Sequence, residues 1–473
     1  MTSPISFDEL DFKIVASMES TRGRPDSQTP FRILVAGDFS GSGNGGDPDP
    51  ERPSRDRQVM EVDRDNFDDV LARLGPEVRL VFADTGLPPI DLSFAELDDF
   101  HPDQIYARLE VFRSLRENRA NIESPEFSDA IARALRNDAQ STSKPPSEAP
   151  AADPSRPPPE MSDLQGSGLL DQVLDASGTA KPDRRASSPP SGWNRFLQEL
   201  VRPHLVPDVE PHVETLREAI DQGISALMRR ILHHPDVQSL EAAWRGMDYL
   251  VRRLQTDETL KVFLLDISKE ALVADLTGVD DLKDSLLYKR LVKDTVETPG
   301  ADPWAVVSGL YTFGAEPHDA ALLARIAAVA AAAGAPFVAG ADPRLLGCAS
   351  LPDTPDPADW KHPPDENATA AWKALRQLPQ AGHVGLALPR FLLRLPYGTE
   401  TEPTETFQFE EMEGRPIHEH YLWSNPCIAC SELLGRAFQS DGWNLRPGSH
   451  QEIAGLPLHI YRSEGETRIK ACA

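Results

Sequence analysis

Cysteine is scarce: four residues in a chain of 473, too few for the disulfide framework that staples small secreted domains. Basic charge is scarce as well. Lysine and arginine total 48 against 75 aspartates and glutamates, a formal net charge of −27. Such a surface repels nucleic acid and anionic membrane unless basic residues concentrate locally, and no stretch has that density. The same repulsion opposes casual self-association, so assembly requires specific contacts. Long apolar runs are also missing. Residues 320–341 come closest, but they are mostly alanine, carry Arg325 and are cut by Gly334 and Pro336. They read as a buried helix ending at Gly334 and a strand from Pro336, not as a membrane insertion. Met1-Thr-Ser-Pro-Ile-Ser-Phe-Asp-Glu9 lacks the basic start and apolar core of a signal peptide.

Catalytic signatures are missing as a group. There is no GxGxxG opening a helix after a strand, no P-loop, no HExxH and no GxSxG. Gly41-Ser-Gly-Asn-Gly-Gly46 runs into Asp47-Pro-Asp-Pro50 instead of a helix N-terminus, so it reads as a loop and not a phosphate cradle. Glu410 and Glu411 are adjacent, and neighbours on an extended chain point apart, which disqualifies them as an acid/base dyad. Cys427-Ile-Ala-Cys430 has the spacing of half a zinc or redox site, with His418 and His420 nearby. This order matches no standard zinc module, and buried thiols in a reducing compartment is the plainer reading. A metal- or thiol-dependent enzyme therefore stands last among the functional readings, and no cofactor is expected.

What is present divides the chain in three. Residues 1–137 read as one unit, with a buried-strand pattern at Phe31-Arg-Ile-Leu-Val-Ala-Gly37 and a turn at Asp38-Phe-Ser-Gly41. A short helix runs to Leu74 with Asp63 or Asp65 as N-cap, strands cover 78–82 and 90–94, and a helix covers 103–118. Residues 138–192 change abruptly to Ser, Ala and Pro, including Pro157-Pro-Pro159. Such a stretch cannot bury enough apolar surface to offset its ordering entropy and reads as a tether. Its apolar island, Leu169, Leu170, Val173 and Leu174, is a possible docking segment. Residues 193–473 interleave strands at 260–267, 304–311, 336–340 and 384–388 with helices, one of them at 317–333. The fold class is α/β, in mixed α+β layers.

The strongest pattern is a helical pair about Pro235. Val213, Leu216, Ile220, Ile224, Leu227 and Ile231 recur at helical spacing before it, and Val237, Leu240, Trp244, Met247, Val251 and Leu254 after it. Each stripe must be buried against something else. His233 and His234 fit a structural role at the end of the first helix, one imidazole meeting its last carbonyls while Pro235 enforces the stop. Glu241 and Arg245 lie four apart in the favourable acid-first order. They flank a buried Trp244, which suits a fold junction or subunit interface better than a pocket.

The same residues carry a resemblance. Ile231-Leu-His-His-Pro235, Gln238-Ser-Leu-Glu-Ala-Ala-Trp-Arg-Gly246, Leu388-Pro-Arg-Phe-Leu-Leu-Arg-Leu-Pro-Tyr-Gly398, Phe409-Glu-Glu411 and Tyr421-Leu-Trp-Ser-Asn425 resemble the large contractile-sheath subunit of type VI secretion systems (TssC/VipB, EvpB/ImpC-like). Phe31 to Gly41, Arg57-Gln-Val-Met-Glu-Val-Asp-Arg-Asp-Asn-Phe67 and Leu97-Asp-Asp-Phe-His-Pro102 resemble the small subunit (TssB/VipA). The two are ordinarily separate chains of an obligate heterodimer, and here they follow one another through the tether, so the resemblance implies two parts packed together.

The resemblance implies a cytoplasmic bacterial protein that is mechanical, not enzymatic. Its partners would be further copies in a helical polymer, an Hcp inner tube, baseplate components and a ClpV-type AAA+ ATPase, for which 169–174 is the docking candidate. His233, His234, Glu241, Trp244, Arg245, Arg390, Arg394 and Trp423 become the structural and interface candidates. Two departures from the pattern are noted: the tether replaces regions that supply stitching strands in the family, and the large-subunit pattern stops at Gly465–Ala473, ahead of its C-terminal segment. The alternative these suggest is a non-polymerising regulatory or capping relative.

Overall fold

Phe31–Gly37 (β1) is apolar towards both faces, and a strand of that kind belongs inside a sheet covered on both sides. A computed structural model describes residues 25–43, 58–82, 89–121 and 213–470, apart from 355, 362–363, 415 and 464–465. The tether and its island at 169–174 lie outside these residues. The described elements continue with β2 (Met60–Val62), α1 (Phe67–Leu74), β3 (Glu77–Leu80), β4 (Ile90–Ser93), α2 (Pro102–Arg108) and α3 (Glu110–Asn121). After the tether come α4 (Val213–Leu232), α5 (Pro235–Arg253), β5 (Leu260–Asp266), α6 (Lys269–Thr277), β6 (Val306–Phe313), α7 (Pro317–Ala333) and β7 (Phe337–Ala341). The order ends with α8 (Glu366–Gln377), β8 (Val384–Ala387), β9 (Phe391–Leu392), β10 (Trp423–Ser424), α9 (Pro426–Asp441), β11 (His459–Ser463) and β12 (Glu466–Lys470).

The central sheet has six strands in the order β2-β5-β1-β6-β7-β8. All neighbours are parallel except the edge strand β2. The two units therefore do more than pack together: they share one sheet. β1 pairs with β5 along its whole length, from Phe31↔Leu260 to Gly37↔Asp266, and its other edge pairs with β6 from Ile33↔Val306. Period-two alternation sends Ile33 and Val35 into one apolar layer, Leu34 and Ala36 into the other. The first layer holds α4, α5, α9 and nearly all of the first unit's remaining core; the second holds α6, α7 and α8.

Further contacts bind the units where β1 enters and leaves the sheet. Phe39 and Ser40 N–H groups donate to Asp266 Oδ1 at 2.9 and 3.0 Å. The Arg32 guanidinium lies 4.0 Å from the Trp304 ring centroid. Phe31 stacks on Phe438 at 4.8 Å. Arg119 makes a two-point ion pair with Asp221 at 2.6 and 3.0 Å, and Asp103 accepts from the backbone N–H groups of Glu405 and Thr406.

Local chemistry explains most boundaries. α7 starts with Pro317 at its first position and ends at Gly334, whose φ of 68° closes the helix in the left-handed conformation. Its alanines at 320, 324, 327 and 330 are buried and let the helix lie close on the sheet. Gly309 marks a tight approach in β6: a Cβ there would fall 2.5 Å from the Phe337 ring, beside the register shift between β6 and β7.

Two helix expectations are corrected. Asn66, not Asp63 or Asp65, occupies the cap position of α1, while Asp63 folds the preceding turn by accepting from the N–H groups of Asp65 and Asn66. The single helix expected over 103–118 is two, because Leu109 adopts an extended ψ of 130°.

An inner strand contributed across the tether makes the units inseparable without unfolding the sheet. Proteolysis within residues 138–192 is expected to leave both pieces in one native gel-filtration peak; two peaks would show that the shared sheet does not hold them.

Candidate functional site

The polar residues singled out in the sequence converge on the helical hinge at Pro235. Helix α5 carries Glu241 and Arg245 one turn apart, and their ion pair forms at 2.6 Å. It belongs to a larger buried knot. Arg394, which follows β9, donates Nε to Glu241 Oε1 at 2.8 Å and Nη1 to Glu411 Oε2 at 2.7 Å. Glu411 also accepts from the Tyr397 backbone N–H at 2.7 Å, and Arg245 donates to the Tyr397 hydroxyl at 3.1 Å. Two carboxylates and two guanidiniums thus cancel in the interior, where a lone charge would be very costly.

The carboxyl of Glu411 shows the balance of forces. Burial alone would raise its pKa, but Arg394 and the Tyr397 N–H hold it down to about 2. Burial likewise opposes the charge on Arg394, yet Glu241 and Glu411 raise its pKa well above the ordinary arginine value. Glu410 turns the other way and accepts from Thr399 N at 2.9 Å, so the adjacent carboxylates point apart as the extended backbone requires. Sequence reasoning met Glu411 only as half of a rejected acid/base pair and met Tyr397 and Glu411 only within longer motifs, so it missed their link to Arg394. The signal for Arg394 and Tyr397 was the run from Leu388 to Gly398, which carries two arginines and a tyrosine among apolar residues.

The histidine pair is corrected. His234 does not meet the carbonyls ending α4; it caps the start of α5, its Nδ1 accepting from Asp236 N–H at 3.3 Å. His233 stacks on His420 with ring centroids 3.8 Å apart and planes inclined by 14°. Its buried Nε2 lies 3.6 Å from Glu411 Oε1, beyond hydrogen-bond range. Trp244 is fully buried, donates Nε1–H to the Phe39 carbonyl at 2.9 Å and meets Phe39 and Phe67 edge to face. It is the anchor of the junction between the two units.

Arg390 and Trp423 lie apart from the knot. Arg390 is exposed and touches His418 Nε2 at 3.4 Å, and Trp423 donates its Nε1–H to the His418 carbonyl. The two cysteines sit one turn apart on α9. Burial raises both thiol pKa values, and Cys427 Sγ–H donates to the Gly309 carbonyl at 3.3 Å. Such thiols are poor nucleophiles. His418 and His420 turn to Arg390 and to His233 respectively. Among the described residues no three His, Cys, Asp or Glu side chains converge as a metal site, and no helix is long and apolar enough to cross a membrane.

Replacing Arg394 with methionine leaves Glu411 buried without its guanidinium and Glu241 with Arg245 alone. The Arg394→Met variant is expected to lose about 3–5 kcal/mol in urea unfolding.

The pH dependence follows from two sets of groups. Burial holds His418, His420 and His459 below the ordinary 6.5, His418 down to about 4. Their depressed folded values mean that the unfolded chain takes up protons first, so stability falls as pH drops from 6.5 towards 4. The contribution of Glu411 is present above its ordinary 4.5 and is lost as pH falls towards 2. Unfolding free energy measured from pH 7 to pH 3 is expected to decline continuously, and His418→Gln is expected to flatten the upper part.

Comparison with known proteins places these features. The family model described as EvpB/VC_A0108, tail sheath N-terminal domain (VipB), matches residues 214–473. That described as Type VI secretion system, VipA, VC_A0107 or Hcp2 matches residues 13–142. The sheath protein TssC1 of Pseudomonas aeruginosa is 35% identical over 262 residues, 54% of this chain and 53% of the relative. TssB1 of the same organism is 29% identical over 99 residues, 20% of this chain and 55% of the relative. The chain spans about half the length of each of these relatives. The hinge, the buried knot and the strand contributed across the tether are thus features of a TssB-like unit joined to a TssC-like unit, and the chain belongs to the type VI secretion tail-sheath family.

Proposed function

We propose that this chain is a structural subunit of a contractile sheath, polymerising with copies of itself around an Hcp inner tube and shortening to drive that tube outward. The observation that carries the reading is the shared sheet. Its inner strand β1 comes from the unit similar to TssB, and its neighbours β5 and β6 come from the unit similar to TssC. One chain thus supplies both units in a one-to-one ratio, and the tether holds them at a high effective concentration. Work in such a machine comes from the free-energy difference between two subunit packings, so it needs no active site.

In this reading the knot of Glu241, Arg245, Arg394 and Glu411 keeps each subunit rigid, so that movement occurs between subunits and not within them. The same reading assigns the chain to the bacterial cytoplasm, with baseplate components and a ClpV-type ATPase as further partners. The island at 169–174 is the proposed ATPase-docking segment.

Negative-stain electron microscopy of the purified chain, with and without Hcp, tests the proposal. Tubes with cogwheel cross-sections are expected. Compact particles in both samples would replace it with a regulatory or capping role.

A further inference from the structure

Two imidazoles meet face to face at the hinge. His233, which follows α4, and His420, in the turn His418–His420, have ring centroids 3.8 Å apart and planes inclined by 14°. His233 Nε2 also lies 3.6 Å from Glu411 Oε1. Such a stack accepts one charge but not two. A single imidazolium on His233 is drawn to the Glu411 carboxylate, whereas a second on His420 sets like charges face to face. Groups this close take up protons in two separate steps that belong to the pair. Burial and His233 accordingly hold the His420 pKa below its ordinary 6.5, against the opposite pull of Glu419 and Glu411.

The stack fastens a surface segment and not the core. Near the start of that segment, Arg229 of α4 donates to the Glu410 carbonyl at 2.8 Å and pairs with Glu413 at 2.7 Å. Near its end, Gln238 of α5 donates to the Glu419 carbonyl at 3.1 Å. Between them Met412 packs against Leu392, Tyr421 and Trp423. Among the described residues, charged groups reach the pair from three elements. α4 brings Arg229 and Arg230, the latter 5.0 Å from the Phe82 ring centroid. The start of α5 brings Asp236, 3.7 Å from His234. The segment brings Glu411, Glu413, Glu419 and His418, whose ring lies against Arg390 and Lys470. The first unit faces this region with the uncharged Phe82. Both imidazoles line a groove of about 510 Å³, through which solvent protons reach them.

We infer that the His233–His420 stack is an acid-sensitive latch: with one ring neutral it holds residues 412–420 on the α4–α5 hinge, and charging both rings releases them. Glu411 does not neutralise the second charge, because its oxygens are committed to Arg394 and the Tyr397 N–H. Once the segment is released the rings separate, and each regains the ordinary proton affinity of an imidazole. The open form therefore binds more protons, and falling pH favours it. The knot beneath stays closed, since Arg394 keeps its charge and Glu411 keeps its partner throughout. Opening is thus local, and it is a movement within one chain that does not depend on the sheath reading.

Methyl NMR of the full chain, with carbon-13 in the methionine methyl groups, tests the latch. Met412 reports the segment, and the fully buried Met228 and Met247 report the helices beneath it. The released population read from the Met412 signal is expected to rise about tenfold between about pH 7 and pH 5, with Met228 and Met247 unmoved. His418, held down to about 4, stays neutral over that window. His420→Phe keeps a ring against His233 but takes up no proton, and is expected to hold Met412 in place. His418→Gln is expected to leave the response intact. A Met412 signal that ignores pH overturns the inference, as does a response that survives His420→Phe or vanishes in His418→Gln. Movement of all three methionines together also overturns it, since that is unfolding of the whole chain. Should His420→Phe fail to fold, nitrogen-15 titration of the wild-type imidazoles decides: separate steps for His233 and His420 support the latch, and one shared step at the ordinary value refutes it.

Discussion

β5 and β6 do not pair with each other; every hydrogen bond between the two flanks of the large sheet passes through β1. Removing that strand would leave two rows of backbone donors and acceptors facing an empty slot, a cost no interior sheet sustains. The rest of the molecule depends on this constraint. Both apolar layers need β1, since Ile33 and Val35 complete one and Leu34 and Ala36 the other. The Trp244 anchor is meaningful only because β1 delivers the Phe39 carbonyl to it. Joining the units in one chain makes delivery of that strand an intramolecular event.

The buried charges do different work. Glu241, Arg245, Arg394 and Glu411 bring together α5, the segment after β9 and the irregular stretch before residue 412. Apolar side chains could fill the same volume with equal or greater stability. What they would not do is fix one relative position, because a guanidinium shared by two carboxylates tolerates little displacement before hydrogen bonds are lost. For a subunit proposed to transmit force, a single unyielding arrangement matters more than extra stability.

Much of this was legible along the chain. The strands at 31–37 and 260–266 and the helix at 317–333 follow from apolar runs bounded by Gly, Pro and Asp. Each signal lies within a few residues of the element it describes. Pro235 marked the hinge because its ring cannot continue α4 yet suits the first turn of α5. The i,i+4 spacing of Glu241 and Arg245 was enough to predict their pairing. The reading slipped at two boundaries: α2 and α3 separate at Leu109, and His234 caps the following helix instead of ending the preceding one.

The sequence by itself determined most element types, the shift to a proline-rich composition between two patterned stretches, the acidic character and the family resemblance. All of these are written in local periodicity, composition or contiguous motifs. Only the tertiary structure decided that β1 lies third in a sheet built mostly from the other unit, that Arg394 bridges Glu241 and Glu411, and that His418 stands between two cations. Those partners are far apart in sequence, as with Arg394 and Glu241 at a separation of 153 residues. No local pattern encodes which distant acid a given arginine will meet. That choice is made when the apolar layers close and each buried charge must find a counter-charge within reach.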